Sequence, residues 1–224
     1  MSQIEIVDLK KSYIVDDTEI PAVNKISMSI EKGDFISIVG HSGSGKTTFI
    51  SMIGGILRPT SGKILLSGND ICLLDDNQLS AYRSSKIGFM FQFASLLPIL
   101  NAKENVLLPA LFRTDNDTVS EQKVLEYLDL VGLKDKVLAY PSQLSGGQQR
   151  RVAIARALIN DPEIILADEP TGDLDEETES EIMELFSKIN REQSVTIILI
   201  THNRELTKKA QTRLRMTQGS IETL

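Results

Sequence analysis

Residues 35–53 read FISIVGHSGSGKTTFISMI, an order that leaves a folding chain few choices. The apolar run FISIV, ending in glycine, suits a strand buried on both faces of a parallel sheet. Apolar residues at helical spacing follow in GKTTFISMIGGIL, before Pro59 and Gly62 break the pattern. Between strand and helix lies Gly40-x-x-x-x-Gly45-Lys46-Thr47. Glycines there let backbone N–H groups turn inward on an anion with no Cβ in the way, at the positive end of a helix. Strand, spacing, lysine and threonine together define a phosphate-binding loop. A glycine turn that binds nothing would leave Lys46 and Thr47 unexplained. The candidate cradle is Gly40, His41, Ser42, Gly43, Ser44, Gly45, Lys46, Thr47 and Thr48. Lys46 is expected to reach the terminal phosphates of a nucleoside triphosphate, and the Thr47 hydroxyl to ligate Mg²⁺. His41 occupies a variable loop position, and its side chain is assigned no chemistry.

Further strand signals appear in KILLSG, KIGFMFQ, EIILADEP and SVTIILITH. From about residue 93 to 158 the character is helical, clearest in SEQKVLEYLDLVGL. Strands alternating with helices predict an α/β fold with a mostly parallel sheet. The expected division is a core of residues 1–92 and 159–224 with a helical subdomain at 93–158. No apolar run approaches the roughly 18 residues that cross a bilayer, and the N-terminus lacks the order of a secretory signal. The single Cys72 suits a reducing interior. A net charge of −7 argues against coating nucleic acid.

Asp168 and Glu169, at the end of the apolar run IILAD, are a second chemical signal. Ligands of open α/β sheets collect at strand C-termini. Alone, the pair reads equally well as solvated carboxylates at a strand end. Beside a phosphate loop, Asp168 suits the hydrated Mg²⁺ and Glu169 the attacking water, as general base or orienter. A third signal is QLSGGQQRRVAIARAL, Gln143–Leu158, where a glycine-bearing turn opens an amphipathic helix. This is a second helix N-terminus suited to an anion.

In order along the chain stand the phosphate loop, Gln92 in FMFQ, LSGGQ at Leu144–Gln148, ILADEP, GDLD at Gly172–Asp175 and His202 in ITH. This series resembles the ATP-binding cassette (ABC) family over almost the whole chain. The resemblance implies a P-loop NTPase (RecA-like) core, an N-terminal antiparallel β portion and an inserted α-helical subdomain. It further implies that Tyr13 stacks on adenine and that Gln92 touches the metal or water and senses a membrane partner. His202 would hold the γ-phosphate, and Asp175 would stiffen an interface between two cassettes. Ser145, Gly146, Gly147 and Gln148 would act on the nucleotide of a second copy, giving a head-to-tail ATP-sandwich homodimer. Within the family, YPSQLSGGQQRRVAIARALINDPEIILADEPTGDLD looks most like the ATPases of lipoprotein release, macrolide export and antimicrobial-peptide resistance.

Such a subunit is expected to hydrolyse ATP at the inner face of the cell membrane. It would be held there by an integral permease that docks near Gln92–Pro98. The sequence closes on MTQGSIETL, which is expected to leave no regulatory tail. Two residues depart from the subgroup: Ala94-Ser95 stands where Asn or His is common, and Arg150 where glutamine is usual. The competing readings are a soluble ABC ATPase of DNA repair, chromosome organisation or translation, and a nucleotide-binding scaffold without turnover. The first lacks its coiled-coil insert and second cassette in this sequence; the second does not explain Glu169 and His202.

Overall fold

In the computed structural model, which describes residues 2–113, 119–203 and 205–224, the chain begins with a long antiparallel hairpin. Strands β1 (Ser2–Val15) and β2 (Thr18–Glu31) meet at Asp16 and Asp17, both with positive φ. Two such residues form the tight connection whose twist matches that of paired strands, and Asp tolerates the conformation. Helix α1 (Lys46–Ile53) follows strand β3 (Phe35–Val39). Strand β4 (Ser61–Leu66) and the short β5 (Asn69–Asp70) then complete a four-stranded antiparallel sheet ordered β2-β1-β4-β5. KILLSG is therefore a strand, as expected, but one of the antiparallel sheet.

The second sheet adds β6 (Ile87–Met90), β7 (Ile164–Asp168), β8 (Thr196–Ile200), β9 (Thr212–Thr217) and β10 (Ser220–Thr223). Its order is β10-β9-β3-β8-β7-β6; β9 through β6 run parallel and β10 is antiparallel at one edge. The apolar strands are explained by two cores, one on each face. Ile36, Ile38, Ile164, Leu166, Ile198 and Ile200 pack with α1 and the antiparallel sheet. Their alternates Phe35, Ile165, Ala167, Ile197 and Leu199 pack against the helices of the opposite face. A period of two directed into two apolar layers reads as an unbroken run.

Those helices are α3 (Ala102–Leu107), α4 (Glu121–Leu130), α5 (Gly146–Leu158) and α6 (Glu176–Gln193). Val106, Val124, Leu128, Val152, Ile182 and Phe186 join them to the sheet. Buried Asn105 fixes the chain entering α3: its side chain accepts from Leu97 N–H and donates to the carbonyls of Leu97, Leu100 and Asn101. The fold class thus matches the sequence-based expectation. One helix was not anticipated. α2 (Asp76–Lys86), DNQLSAYRSSK, buries only Leu79 and Tyr82, so its apolar period is weak. Its start is marked by a reciprocal capping box between Asp75 and Gln78. Among the described residues no helix is long and apolar enough to cross a membrane.

Phe49 of α1 is fully buried between the two sheets, whereas Phe93 is 65% exposed. Phe49→Ala should lower the unfolding free energy by about 3–5 kcal/mol and Phe93→Ala by under about 0.5 kcal/mol, measured by urea denaturation.

Candidate active site

The phosphate loop is pressed between strands of different sheets, which explains two of its glycines. A Cβ at Gly40 would lie 2.3 Å from the Met216 carbonyl oxygen of β9. Gly45 has φ +104, and a Cβ there would lie 2.0 Å from the Ala22 carbonyl oxygen of β2. Gly45 is also the N-cap of α1, and no side chain caps that helix. Its first amides are therefore free to meet a ligand. Buried Lys46 donates from Nζ to the carbonyls of Gly40 (2.7 Å) and His41 (3.0 Å), which draws the ammonium inside the curve of the loop. Ser44 Oγ is buried without a hydrogen-bond partner. A cation, free amides and an orphan hydroxyl in one cradle fit a polyphosphate.

Asp168 ends β7 beside this cradle. Burial pushes its carboxyl above the ordinary range and the Glu169 charge adds to that, while a hydrogen bond from the Thr47 hydroxyl and the charge of Lys46 oppose it. A hydroxyl and a carboxylate at one point are hard oxygen donors of the kind Mg²⁺ takes. Among the described residues no three His, Cys, Asp or Glu side chains gather as a metal cage.

Glu169 breaks from strand geometry with φ +46, held by its N–H donating to the Ile200 carbonyl at 2.9 Å. A non-glycine residue in the left-handed region costs about 1–3 kcal/mol, and such strain concentrates at functional sites. The kink brings the carboxylate to His202, with Oε2 3.0 Å from Nδ1. Gly40, His41, Ser42, Gln92, Glu169 and His202 line one cleft of 640 Å³, with Arg215 and Thr217 of β9 completing its wall. The sequence reading passed over those last two; RLRMTQG carries no motif that singles them out.

The remaining expected residues gather elsewhere. Ser145 and Gln148 form a capping box on α5: Ser145 Oγ accepts from Gln148 N–H, and Gln148 Oε1 accepts from Ser145 N–H. Ser145 is exposed, and a Cβ at Gly147 would lie 2.6 Å from Thr178 Cγ2. Thr178 in turn donates from its backbone N–H and hydroxyl to Asp175, the N-cap of α6. Those bonds hold the Asp175 carboxyl below the usual range. The N-termini of α5 and α6 therefore form one surface, and none of Ser145, Gly146, Gly147, Gln148 or Asp175 lines the cleft of their own chain. Tyr13 is exposed on β1 opposite Ile20, two residues along β2 from Ala22, with Lys11 Nζ 5.6 Å from its ring centre.

Residues 23–172 match the family model described as ABC transporter. An uncharacterized ABC transporter ATP-binding protein of Thermotoga maritima is 44% identical over 219 residues, covering 98% of this chain and 93% of that protein. The macrolide export ATP-binding/permease protein MacB of Syntrophobacter fumaroxidans is 42% identical over 224 residues. That match covers 99% of this chain but 31% of MacB. Among solved structures, the dimeric post-hydrolysis state of the ATP-binding cassette MJ0796 bound to ADP and Pi superimposes with a TM-score of 0.89 at 38% identity. It covers 99% of this chain and 98% of that one.

The loop geometry separates two glycine substitutions. A Cβ at Gly43, φ +77, would meet nothing within 4 Å. Gly43→Ala should therefore cost only the backbone penalty of about 1 kcal/mol, and Gly45→Ala roughly 2 kcal/mol more, because Ala22 must also move. Denaturant unfolding of the two variants side by side measures that difference.

Proposed function

The chain belongs to the ABC transporter family, and from that premise we propose that it is the ATP-hydrolysing, nucleotide-binding subunit of a transport or mechanotransmission complex. Its work is driven by a head-to-tail dimer that closes on ATP. The observation that carries this reading is the separation of the Ser145–Gln148 surface from the cleft of its own chain. A helix N-terminus with exposed amides and a hydroxyl, placed away from the chain's own cradle, is suited to the γ-phosphate bound by a second copy. The dimeric state of the related MJ0796 cassette supports it.

In this mechanism the Lys46 ammonium and the loop amides bind the phosphates, and Tyr13 stacks on adenine. Thr47, Gln92 and Asp168 would hold Mg²⁺, whose charge offsets that developing on the phosphoryl oxygens. Glu169 takes the water proton or orients the water, and His202, held by its Glu169 contact, steadies the γ-phosphate. Phosphoryl transfer depends mostly on positioning and charge neutralisation, so opening the dimer dismantles the site. Asp175, at the N-terminus of α6 beside Gly147, stiffens the dimer interface.

The helical segment 93–158 acts as a subdomain that receives the membrane partner. Beside the Gln92–Pro98 stretch runs a groove of 430 Å³, whose walls include Phe89, Phe91, Ser95, Leu108 and Phe112. Phe112 on its wall is exposed, as are Phe93, Leu97, Ile99 and Leu111, which neighbour the groove residues in sequence. Such an apolar patch suits a docking site for a permease helix. The name of the related macrolide export ATP-binding/permease protein MacB pairs an ATP-binding function with a permease, which supports a permease partner here. The subunit then lies on the cytoplasmic face of the membrane. Lipoprotein release, macrolide export or peptide resistance is the process it serves.

Glu169→Gln should trap an ATP-bound dimer with little turnover; gel filtration that shows only monomer with ATP would refute the shared site. Ser145→Arg should abolish ATPase activity while ATP binding by the monomer, read by calorimetry, is retained.

A further inference from the structure

Arg150 is 4% exposed, on the helix whose N-terminus is Ser145. The sequence marked it only as an unusual charge. The fold places it between two loops of the active site. Its Nη1 donates to the Phe91 carbonyl at 3.3 Å, the peptide bond that precedes Gln92. Its Nη2 lies 3.6 Å from Asp173 Oδ2, in the segment that leads from Glu169 to the α6 cap at Asp175. Further along α5, Arg156 donates to the carbonyls of Ala94 and Ser95 at 2.7 and 2.8 Å. One rigid helix thus grips the Gln92 loop on both sides, and through Arg150 also holds the loop after Glu169.

A guanidinium loses much of its hydration on burial and is retained where its planar fork meets two acceptors at once. Burial works against the charge of Arg150 and Asp173 supports it. Asp173 itself is more than half exposed, whereas Arg150 is packed inside.

We propose that Arg150 is a positioning residue that makes the Gln92 loop and the Asp173–Asp175 loop move as one unit. Helix α5 thereby sets the register of Gln92 in its own chain's cleft while its N-terminus faces the neighbour. Arg150 bonds to Phe91 and pairs with Asp173 rather than with the Lys46 cradle, so its loss acts on the assembled, reacting site rather than on capture of nucleotide. This inference rests on the ATPase reading above; turnover by the unaltered chain tests that reading separately.

The test is a double-mutant cycle on steady-state ATPase activity with Arg150→Met, Asp173→Asn and the pair. Asp173→Asn changes an exposed residue and leaves the core intact, so it reads the contact even if Arg150→Met folds poorly. Each single variant is expected to lower kcat about 3- to 30-fold with the KM for ATP held within about twofold. The double variant should be no slower than the slower single, because both remove one coupling. Unchanged kcat in Asp173→Asn, multiplicative losses in the pair, or a loss confined to KM would each overturn the proposal.

Discussion

The register of three neighbouring strands holds the site together. Ile38 of β3 lies opposite Ile200 of β8, and Ile200 lies opposite Asp168 of β7. With those strands ending in one row, the residues that follow them emerge side by side: Gly40 with its loop, Glu169, and His202. The strands are locked by burial on both faces, Ile198 and Ile200 into one core and Ile197 and Leu199 into the other. A slip of one residue would exchange the two apolar sets and carry the carboxylates at the end of β7 to the wrong face. The energy that fixes this register comes from ordinary aliphatic packing, and the strained turn at Glu169 is sustained by it.

The phosphate loop shows the same economy. It is shaped by backbone contacts from two strands of different sheets, Ala22 of β2 and Met216 of β9, at positions where only glycine fits. The antiparallel sheet therefore contributes directly to the geometry of nucleotide binding. On the other side of the parallel sheet, α5 links the Ser145 surface to the Gln92 loop through Arg150 and Arg156. In the proposed head-to-tail dimer, where each chain would supply one half of each of two composite sites, such a rigid connection would let events at a neighbour's nucleotide reach its own.

Much of this was legible in the sequence, for identifiable reasons. The phosphate loop, the acidic strand end and the parallel core follow from local pattern, because doubly buried strands and glycine-rich turns leave contiguous marks. The partition of residues between two cleft-forming surfaces was legible only through resemblance. No local pattern says that Ser145 lies outside the cleft bounded by Glu169. Helix α2 was obscured because most of its residues face water and its capping box was overlooked. KILLSG gave the strand without its sheet, since alternation reports burial and not partners. The Glu169–His202 contact joins residues that meet only through strand register. The burial of Arg150 was least accessible, since a charged residue at the start of a helix ordinarily points to solvent.

The central claim is that each ATP is enclosed by the phosphate loop of one copy and the Ser145 surface of another. The most direct measurement mixes two inactive variants, Lys46→Ala and Ser145→Arg, and follows ATP hydrolysis. In a head-to-tail dimer the mixed species holds one site with an intact phosphate loop facing an intact Ser145 surface, so turnover absent from either protein alone should appear on mixing. A mixture as inactive as its components would contradict the account.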